Sequence, residues 1–438
     1  MQIEYFNQAI ETMPLAQLQA RQLQKLQEML GQINGRNPFY TDKLTAVGAT
    51  PSDIQSLDDL SNLPFTTKSE LVQAQIDAPP FGTNATFDES TYTRFHQTSG
   101  TTGPPLRVID TPQSWDWWGD CWGYVLAGAG LTANDRLFIP FSFGPFIGFW
   151  AAVGGARNIG AMMIPGGGRN SAQRLHLMRE LGVTAMCCTP TYALRLAEVA
   201  RENKIDLNDI PMRITIHAGE PGANIPATKA RIEETWHAKC FDHAGASEVG
   251  AHSFECQTQP GGTHIIESEF IAEVIDPATG KAVPDGEAGE LVITNLGRIG
   301  YPVIRYRTGD LVKMNRQPCD CERTFARFDG GVIGRADDMV IVRGVNIFPG
   351  AVENLVRQFE AVDEFQVQVT KRKEMAELKI ELECVAGADS EGVRRAVSQQ
   401  FQNVMGLRPL ITIVPRNSLP RFDLKAKRFH NLIHDPKI

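Results

Sequence analysis

The segment HQTSGTTGPP at residues 96–105 is the densest cluster of residue types suited to binding phosphate. Glycines let backbone N–H groups turn toward an anion, and Ser and Thr hydroxyls add further donors. An ordinary polar turn has the same composition, so that interpretation stays open. No Gly-Lys-Ser/Thr follows, which excludes a Walker A loop. The phosphate-binding interpretation predicts contacts from Thr98, Ser99, Gly100, Thr101, Thr102 and Gly103.

A second group of residues has the ligand types of a structural zinc site. One residue separates Cys319 from Cys321, which places two thiols in one tight turn, and Cys256 and His264 flank a QPGG turn. Three thiolates and one imidazole form a closed tetrahedral set without an open catalytic position. His252 could replace His264, and unrelated buried thiols are the alternative to a metal. We expect structural Zn²⁺ on Cys256, His264, Cys319 and Cys321.

An aromatic and glycine-rich segment, FSFGPFIGFW, occupies residues 141–150. Aromatic walls suit an aryl or aryl-alkyl ligand, and packing within a core helix or strand is the competing interpretation. Small aliphatic or hydroxy acids also remain compatible with the sequence, because pocket depth depends on tertiary contacts.

The elements that would position these residues follow from hydrophobic patterning. Between residues 106 and 216, strand-like apolar runs at 136–140, 161–165 and 184–189 alternate with helical stretches such as 171–181. Alternation of strands and helices favours a layered α/β domain with mostly parallel strands.

The pattern changes in the second half of the chain. Apolar runs at 270–275 and 289–294 flank a turn-rich stretch and predict a β-rich subdomain. From residue 335 onward, alternating strand and helix patterns predict a small α+β unit of roughly 100 residues. We therefore expect two domains, 1–334 and 335–438, together with an amphipathic helix between residues 15 and 33.

Composition limits the classes of partner. The chain has 438 residues, 42% of them hydrophobic, a net charge of −8 and a pI near 5.7, which argue against a broad nucleic-acid-binding surface. No run approaches the roughly 18 apolar residues of a membrane span, and residues 1–8 lack a basic signal-peptide region. The eight cysteines suggest reduced thiols or metal ligands rather than disulfides. A cytoplasmic protein without membrane or nucleic-acid partners is expected.

Residues 98–103 resemble the signature loop of the adenylate-forming superfamily, and the chain is most similar to phenylacetate–CoA ligases. The resemblance extends in order over nearly the whole chain. It is carried by PFY at 38–40, LPFTTK at 63–68, CCTPTYA at 187–193, GEP at 219–221, YRTGDL at 306–311 and RGVNIFP at 343–349.

The resemblance implies a role for each matching residue. The loop would close over the β- and γ-phosphates of ATP, and Glu248 would help to hold Mg²⁺. Asp310 would accept hydrogen bonds from the ribose, and Arg335 would contact ribose or phosphate. Lys425 would be the adenylation lysine. The remaining assignments are Glu220, Asp242 and Ser247 at the nucleotide, Asp337 as hinge, Gly344 on the CoA path, and Phe141, Phe143, Gly144 and Ala246 in the acid pocket.

Three positions depart from the family pattern. Pro104 replaces the usual lysine after the loop, Ala244 and Gly245 replace the aromatic residue that stacks on adenine, and Leu424 replaces the glycine before the adenylation lysine. One phosphate contact is therefore lost, and adenine stacking must come from elsewhere.

The resemblance implies an ATP-dependent ligase that converts a small carboxylic acid, expected to be aromatic, into an acyl-adenylate and then a CoA thioester. Its substrates would be the acid, ATP and CoA, with Mg²⁺ as cofactor, and a homodimer is expected. Two alternatives stay open: an adenylate-forming enzyme with another acceptor, such as a deazaflavin cofactor, and a non-catalytic nucleotide-binding relative.

Overall fold

The computed structural model describes residues 3–98, 104–343, 345–372, 375–422 and 426–433. Most of the chain forms one large α/β body, and the described residues between 340 and 433 form a smaller α+β unit, here called the C-terminal unit. The predicted fold class is confirmed. Among the described residues, no helix is both long and apolar enough to cross a membrane.

The helices begin mostly at residues that cap them. Asn7, Asn37, Thr67, Thr111 and Thr189 each accept a hydrogen bond from a backbone N–H of the first turn. The helices are α1 Gln8–Glu11, α2 Leu15–Ile33, α3 Pro38–Ala46, α4 Lys68–Asp77, α5 Pro112–Gly128, α6 Trp150–Ile159, α7 Ser171–Glu180, α8 Pro190–Glu202, α9 Pro226–Trp236, α10 Pro349–Arg357 and α11 Ser390–Met405.

The strands of the body form a two-stranded hairpin, β1–β2, and a large mixed sheet in the order β10-β11-β12-β13-β9-β8-β7-β6-β5-β3-β4, with β14 paired to β12. Their bounds are β1 Arg94–Gln97, β2 Arg107–Asp110, β3 Arg136–Ile139, β4 Met162–Pro165, β5 Ala185–Cys188, β6 Ile214–His217, β7 Lys239–Ala246, β8 Gly250–Glu255, β9 Gly262–Ile265, β10 Phe270–Ile275, β11 Ala288–Asn295, β12 Tyr306–Asn315, β13 Arg327–Asp329 and β14 Gly334–Arg335.

The large sheet changes character at β7. The strands from β4 to β7 pair in parallel, with helices between them in sequence, whereas the strands from β7 to β10 pair antiparallel. The predicted α/β and β-rich regions are thus two halves of one sheet. Ligands of open α/β sheets bind at the carboxyl ends of the strands, and the segments after β6 and β7 carry Glu220 and Ser247.

The C-terminal unit is a four-stranded sheet, ordered β19-β18-β17-β20, together with α10, α11 and the hairpin β15–β16. Val352, Val367, Ile380 and Phe401 are completely or almost completely buried in its separate core. Strand patterns at 339–343, 364–370 and 378–385 and helix patterns at 349–359 and 390–404 predict five of these elements, with ends displaced by one to a few residues. The strands at 345–347, 410–413 and 429–431 were not predicted. The strands are β15 Val340–Val342, β16 Val345–Ile347, β17 Val362–Arg372, β18 Met375–Cys384, β19 Leu410–Ile413 and β20 Phe429–Asn431.

The amphipathic pattern at the N-terminus correctly predicts α2. Leu18, Leu26, Leu30 and Ile33 are fully buried along one face of this helix. Gln22 lies on the same face and donates from Nε2 to the carbonyl of Phe270 at 2.9 Å. The helix therefore covers the antiparallel half of the sheet, where it satisfies an otherwise buried carbonyl.

A buried ion pair joins the β1–β2 hairpin to the sheet. Arg298 and Asp110 are fully buried, and Nε and Nη2 of the arginine each donate to one carboxylate oxygen at 2.7 Å. The remaining terminal nitrogen, Nη1, donates to the carbonyl of Ser247 at 2.7 Å. Two parallel charge-assisted hydrogen bonds fix both side chains in one geometry.

We predict that Arg298→Ala lowers the free energy of unfolding by about 3–5 kcal/mol, because Asp110 is left as a buried charge without its partner. Arg394→Ala is the matched control, since Arg394 forms an exposed ion pair with Glu391 within α11 and should change stability far less. Chemical denaturation of the two variants checks the difference. Equal effects would contradict the structural role of the buried pair.

Candidate active site

The predicted phosphate loop is closed at its base by β1 and β2. The backbone N–H of Thr98 donates to the carbonyl of Leu106 at 2.9 Å, and its Oγ1 accepts from the N–H of Leu106 at 3.0 Å. The N–H of Gln97 donates to the carbonyl of Pro145, which ties the hairpin to the aromatic segment. Ser99, Gly100, Thr101, Thr102 and Gly103 lie outside the described residues.

The Ser247–Glu248 segment follows β7 directly and is held from two sides. Arg298 donates to the carbonyl of Ser247, and Tyr306 donates from its hydroxyl to Oε1 of Glu248 at 2.7 Å. Glu248 is buried, and Arg298 also binds Asp110 at the end of β2. The phosphate hairpin and the predicted magnesium ligand are therefore fixed to one another through a single arginine.

Asp310 and Arg335 face each other across the pairing of β12 with β14. Nη1 of Arg335 donates to Oδ1 of Asp310 at 3.1 Å, and Nε donates to Oδ1 of Asp337 at 3.0 Å. Burial raises the pKa of Asp310 to about 6; Arg335 opposes the rise and Glu248 adds to it. The structure thus places Glu248, Asp310, Arg335 and Asp337 in one neighbourhood.

Gly309 allows the close approach of the arginine to β12. Its φ is +76°, and a Cβ atom there would lie 2.7 Å from Nη2 of Arg335. Both the backbone conformation and the space favour glycine at this position.

Glu220 bridges the body and the C-terminal unit. Its Oε1 accepts from the N–H of Thr191 at 2.9 Å, and its Oε2 accepts from the N–H of Ala426 at 2.6 Å. Burial raises the pKa of Glu220, and the hydrogen bonds from Thr191 and Ala426 oppose that rise. Lys425 precedes Ala426 in the sequence and lies outside the described residues, as does Gly344.

Asp242 lies in β7, four residues before the end of the strand. Its N–H donates to Oε2 of Glu255 at 2.8 Å, and its carboxyl lies against Gly331, where a Cβ atom would be 2.8 Å from Oδ2. Burial raises the pKa of Asp242 to about 7; Glu255 adds to the rise and Lys229 opposes it. The carboxyl thus occupies a tight site that disfavours its charged form.

The aromatic segment is a loop between β3 and α6 over residues 141–149 rather than a helix or strand, but Ile147 and Phe149 are buried in the main core and Phe141 and Phe143 pack against it. Phe143 makes edge contacts with Phe141 and Trp150, at ring-centroid distances of 5.5 and 4.9 Å. Nε1 of Trp150 donates to the carbonyl of Gly144 at 3.0 Å. Ala246, at the end of β7, packs against the main core of the body.

The predicted metal ligands come together from three segments. One ligand atom from each of Cys256, His264, Cys319 and Cys321 lies within 4.8 Å of every other, and all four residues are buried. Sγ of Cys256 is 3.6 Å from Sγ of Cys319, and Sγ of Cys321 is 3.3 Å from Nε2 of His264. Zn–S bonds of about 2.3 Å at a tetrahedral angle separate two sulfurs by about 3.8 Å, whereas a disulfide requires about 2.05 Å.

The orientation of His264 also fits a metal site. Its Nδ1 is 2.8 Å from the carbonyl of Phe325, so an N–H at Nδ1 leaves the lone pair of Nε2 directed at the thiols. His252 does not join this cluster, and its interpretation as a replacement ligand was wrong. The remaining cysteines are all buried and lie outside this cluster: Cys121, Cys187, Cys188, Cys240 and Cys384.

Sequence patterns did not identify two positioning residues, Tyr306 and Arg298. Tyr306 begins the YRTGDL segment, and its proximity to Asp310 along β12 was the available signal. Nothing in the local sequence around Arg298 indicates its contact with Asp110, which is 188 residues away.

Comparison with known proteins agrees with this arrangement. The AMP-binding enzyme family profile matches residues 43–297, and the AMP-binding enzyme C-terminal domain profile matches residues 344–432. The chain belongs to the AMP-binding enzyme family. It is 31% identical to the phenylacetate-coenzyme A ligase of Thermus thermophilus, over 94% of this chain and 96% of the relative. It is 32% identical to that of Escherichia coli strain K12, over 97% of each chain.

This AMP-binding family member also matches solved structures over nearly its whole length. A 2-hydroxyisobutyryl-CoA ligase in the postadenylation state, in complex with 2-HIB-AMP, is 31% identical and superposes with a TM-score of 0.93, covering 99% of this chain and 93% of that chain. The same ligase with 2-HIB-AMP and CoA in the thioesterification state gives a TM-score of 0.74, with 97% and 91% covered.

We predict that stability depends on pH through Asp242. Its pKa is about 7 in the folded protein and about 3.8 in the unfolded chain. The folded state therefore binds more protons between these values, and this group makes the protein less stable as pH rises from about 4 to 7. Asp242→Asn removes the titration, so its stability relative to the unsubstituted protein should be higher at pH 8 than at pH 5. Denaturation at the two pH values measures the difference, and a pH-independent difference would contradict the raised pKa.

Proposed function

We propose that this protein is an ATP-dependent acid–CoA ligase. The acid carboxylate attacks the α-phosphorus of ATP, the bond to the β-phosphate breaks, and acyl-AMP and pyrophosphate form. The CoA thiol then attacks the acyl carbon and releases AMP. The observation that carries the proposal is the superposition, at a TM-score of 0.93, on a CoA ligase in complex with an acyl-adenylate.

The first half-reaction brings two anions together, so the site must offset negative charge. We assign Lys425 to the phosphoryl oxygens, where its ammonium would stabilise the charge that develops during attack. Glu248 would hold Mg²⁺, which when bound neutralises phosphate charge. The hydrogen bond from Tyr306 fixes the Glu248 carboxylate at the end of β7, and Arg298 fixes the preceding carbonyl. Thr98 anchors the loop that would close over the outer phosphates.

The nucleoside part is assigned to Asp310 and Arg335. Two carboxylate oxygens match the two hydroxyls of a ribose, and Arg335 already lies 3.1 Å from this carboxylate. We also assign Asp242, within β7, and Ser247, directly after β7, to nucleotide binding. Glu220 is assigned to the same region, with its carboxylate directed at Thr191 and Ala426.

We further propose that residues 335–438 act as a mobile lid on the body formed by residues 1–334, with Asp337 at the hinge. The two states of 2-hydroxyisobutyryl-CoA ligase support this division, because one sequence gives TM-scores of 0.93 and 0.74 against this chain. The arrangement described here corresponds to the postadenylation state. Rotation would withdraw Lys425 and bring Gly344 toward the path of the CoA thiol.

The acid is proposed to be small and aromatic. The rings of Phe141 and Phe143, joined to the phosphate hairpin through Pro145, support an aryl group beside the reacting carboxylate. Gly144 and Ala246 would leave space at the same pocket. The relatives include ligases named for phenylacetate and for 2-hydroxyisobutyrate. A substrate screen that compares these two acids distinguishes an aromatic substrate from a small hydroxy acid.

Structural Zn²⁺ is proposed on the four ligands Cys256, His264, Cys319 and Cys321, supported by their spacing and the orientation of His264. When bound, zinc would crosslink β8, β9 and the turn at 319–321. Use of ATP and CoA, together with eight cysteines that form no disulfide, supports a cytoplasmic location. A homodimer stays a prediction that light scattering after size-exclusion chromatography checks.

The function is tested by incubating the protein with ATP, Mg²⁺ and either acid, then measuring pyrophosphate release and CoA thioester formation. Lys425→Ala should slow acyl-AMP formation by roughly 10² or more, while thioester formation from pre-made acyl-AMP changes far less. Lys427→Ala is the matched control, because it removes a neighbouring exposed charge. Pyrophosphate release without a CoA thioester would favour another acceptor. Equal loss in both half-reactions would contradict the role of Lys425.

For zinc, we predict about one ion per chain by elemental analysis of protein purified without chelator. Cys319→Ser combined with Cys321→Ser should lose the ion and lower the melting temperature, because metal binding contributes folding free energy. Cys121→Ser combined with Cys384→Ser is the control for loss of buried thiols and should retain the metal. Absence of metal from the unsubstituted protein would refute the site.

A further inference from the structure

The start of α8 is the place where the body contacts the segment that follows the adenylation lysine in sequence. The N–H of Thr191 lies in the first turn of this helix, and its partner is Oε1 of Glu220. A carboxylate at a helix N-terminus satisfies a free N–H and interacts favourably with the helix dipole. Glu220 is therefore fixed to the body whether or not the C-terminal unit is in contact.

Two contacts cross from this helix start to the C-terminal unit. Oε2 of Glu220 accepts from the N–H of Ala426 at 2.6 Å, and Oγ1 of Thr191 accepts from Nη1 of Arg428 at 3.0 Å. Ala426 and Arg428 are one and three residues beyond Lys425. Both body residues thus hold the chain immediately after the lysine.

Arg428 is itself held rigidly within the C-terminal unit. Its Nε and Nη2 donate to the two carboxylate oxygens of Glu364 at 2.7 and 2.9 Å, and both side chains are at most 10% exposed. Although burial raises the pKa of Glu364, Arg357 and Arg428 lower it to about 2, so this partner stays charged. The third guanidinium nitrogen, Nη1, is the one that donates to Oγ1 of Thr191.

We infer that Thr191 and Glu220 are positioning residues for the adenylation half-reaction: they dock residues 426–428 on the body and so set the placement of Lys425. This inference rests on the proposed function and adds a role to Glu220 beyond the nucleotide. Because the observed arrangement matches the postadenylation state of a relative far better than its thioesterification state, the dock belongs to the first half-reaction.

The central experiment compares Thr191→Val with Thr191→Ser. Valine removes the hydroxyl that accepts from Arg428 and also bonds Glu220, but it keeps the backbone N–H for Glu220, whereas serine keeps all three contacts. A hydrogen bond to a charged group contributes about 1.5–3 kcal/mol, so valine should slow acyl-AMP formation by about tenfold or more. Thioester formation from pre-made acyl-AMP and the Kd for ATP should change less than about threefold. Serine should restore the rate.

Glu220→Gln tests the second contact in the same way. It should slow acyl-AMP formation much more than thioester formation from pre-made acyl-AMP, because both carboxylate oxygens of Glu220 contact backbone N–H groups at this junction. Equal losses in both half-reactions for Glu220→Gln would overturn its positioning role, and a loss of ATP affinity with unchanged acyl-AMP formation at saturating ATP would assign Glu220 to the nucleotide alone. Equal losses in both half-reactions for Thr191→Val would overturn the role of Thr191.

A distance measurement keeps the test independent of activity. Spin labels can be placed on cysteines introduced at the exposed positions Ala396 in α11 and Glu234 in α9, because all native cysteines are buried. The unsubstituted protein should show one predominant distance, which Thr191→Val broadens or divides and Thr191→Ser restores. If Thr191→Val changes neither the distance distribution nor the rate of acyl-AMP formation, the positioning role of Thr191 is refuted. The distance measurement needs no substrate, so its result does not depend on whether the proposed acid is correct.

Discussion

The buried pair of Arg298 with Asp110 is the interaction on which the site depends. It joins the end of the β1–β2 hairpin to the sheet, and the same guanidinium binds the carbonyl of Ser247 and lies over the ring of Trp118. Taking two charges out of water costs free energy, which these hydrogen bonds offset. In return, the β1–β2 hairpin and the Ser247 carbonyl are held in one geometry, although they come from segments far apart in the chain.

The same region concentrates carboxylates where a polyphosphate is proposed to bind. Burial raises the pKa of Asp310 to about 6, and Glu248 nearby adds to the rise while Arg335 opposes it. The negative charge of these carboxylates and of a bound polyphosphate is offset only when cations are present. Arg335 supplies one, while Mg²⁺ on Glu248 and the lysine of the C-terminal unit would supply the others.

The contacts between the body and the C-terminal unit include many polar ones. Thr191 and Glu220 form two of these contacts at the start of α8. In addition, Arg231 donates to the carbonyl of Val362 at 3.0 Å, and the side chain of Asn354 accepts from the N–H of Ala227 at 3.2 Å. Polar interfaces between domains exchange their partners for water at modest cost, which suits the proposed lid motion. The C-terminal unit has a separate core, so the proposed motion would not expose the core of the body.

The sequence alone determined the features that depend on local pattern. Apolar periodicity predicted α2, α10 and α11, and the Cys and His spacing predicted the ligands that meet in the fold. Residue types at 98–103 predicted a phosphate-binding loop, whereas YRTGDL at 306–311 implied nucleotide binding only through its resemblance to a known family.

Tertiary structure decided every feature that depends on which distant segments meet. It selected His264 over His252, since only the β9 residue faces the thiols, and it made residues 141–149 a loop. It also paired Arg298 with Asp110 and placed Thr191 against Arg428, which is 237 residues away. Local propensity acts over a few residues, whereas these contacts are set by the packing of whole strands and helices, so no local pattern encodes them.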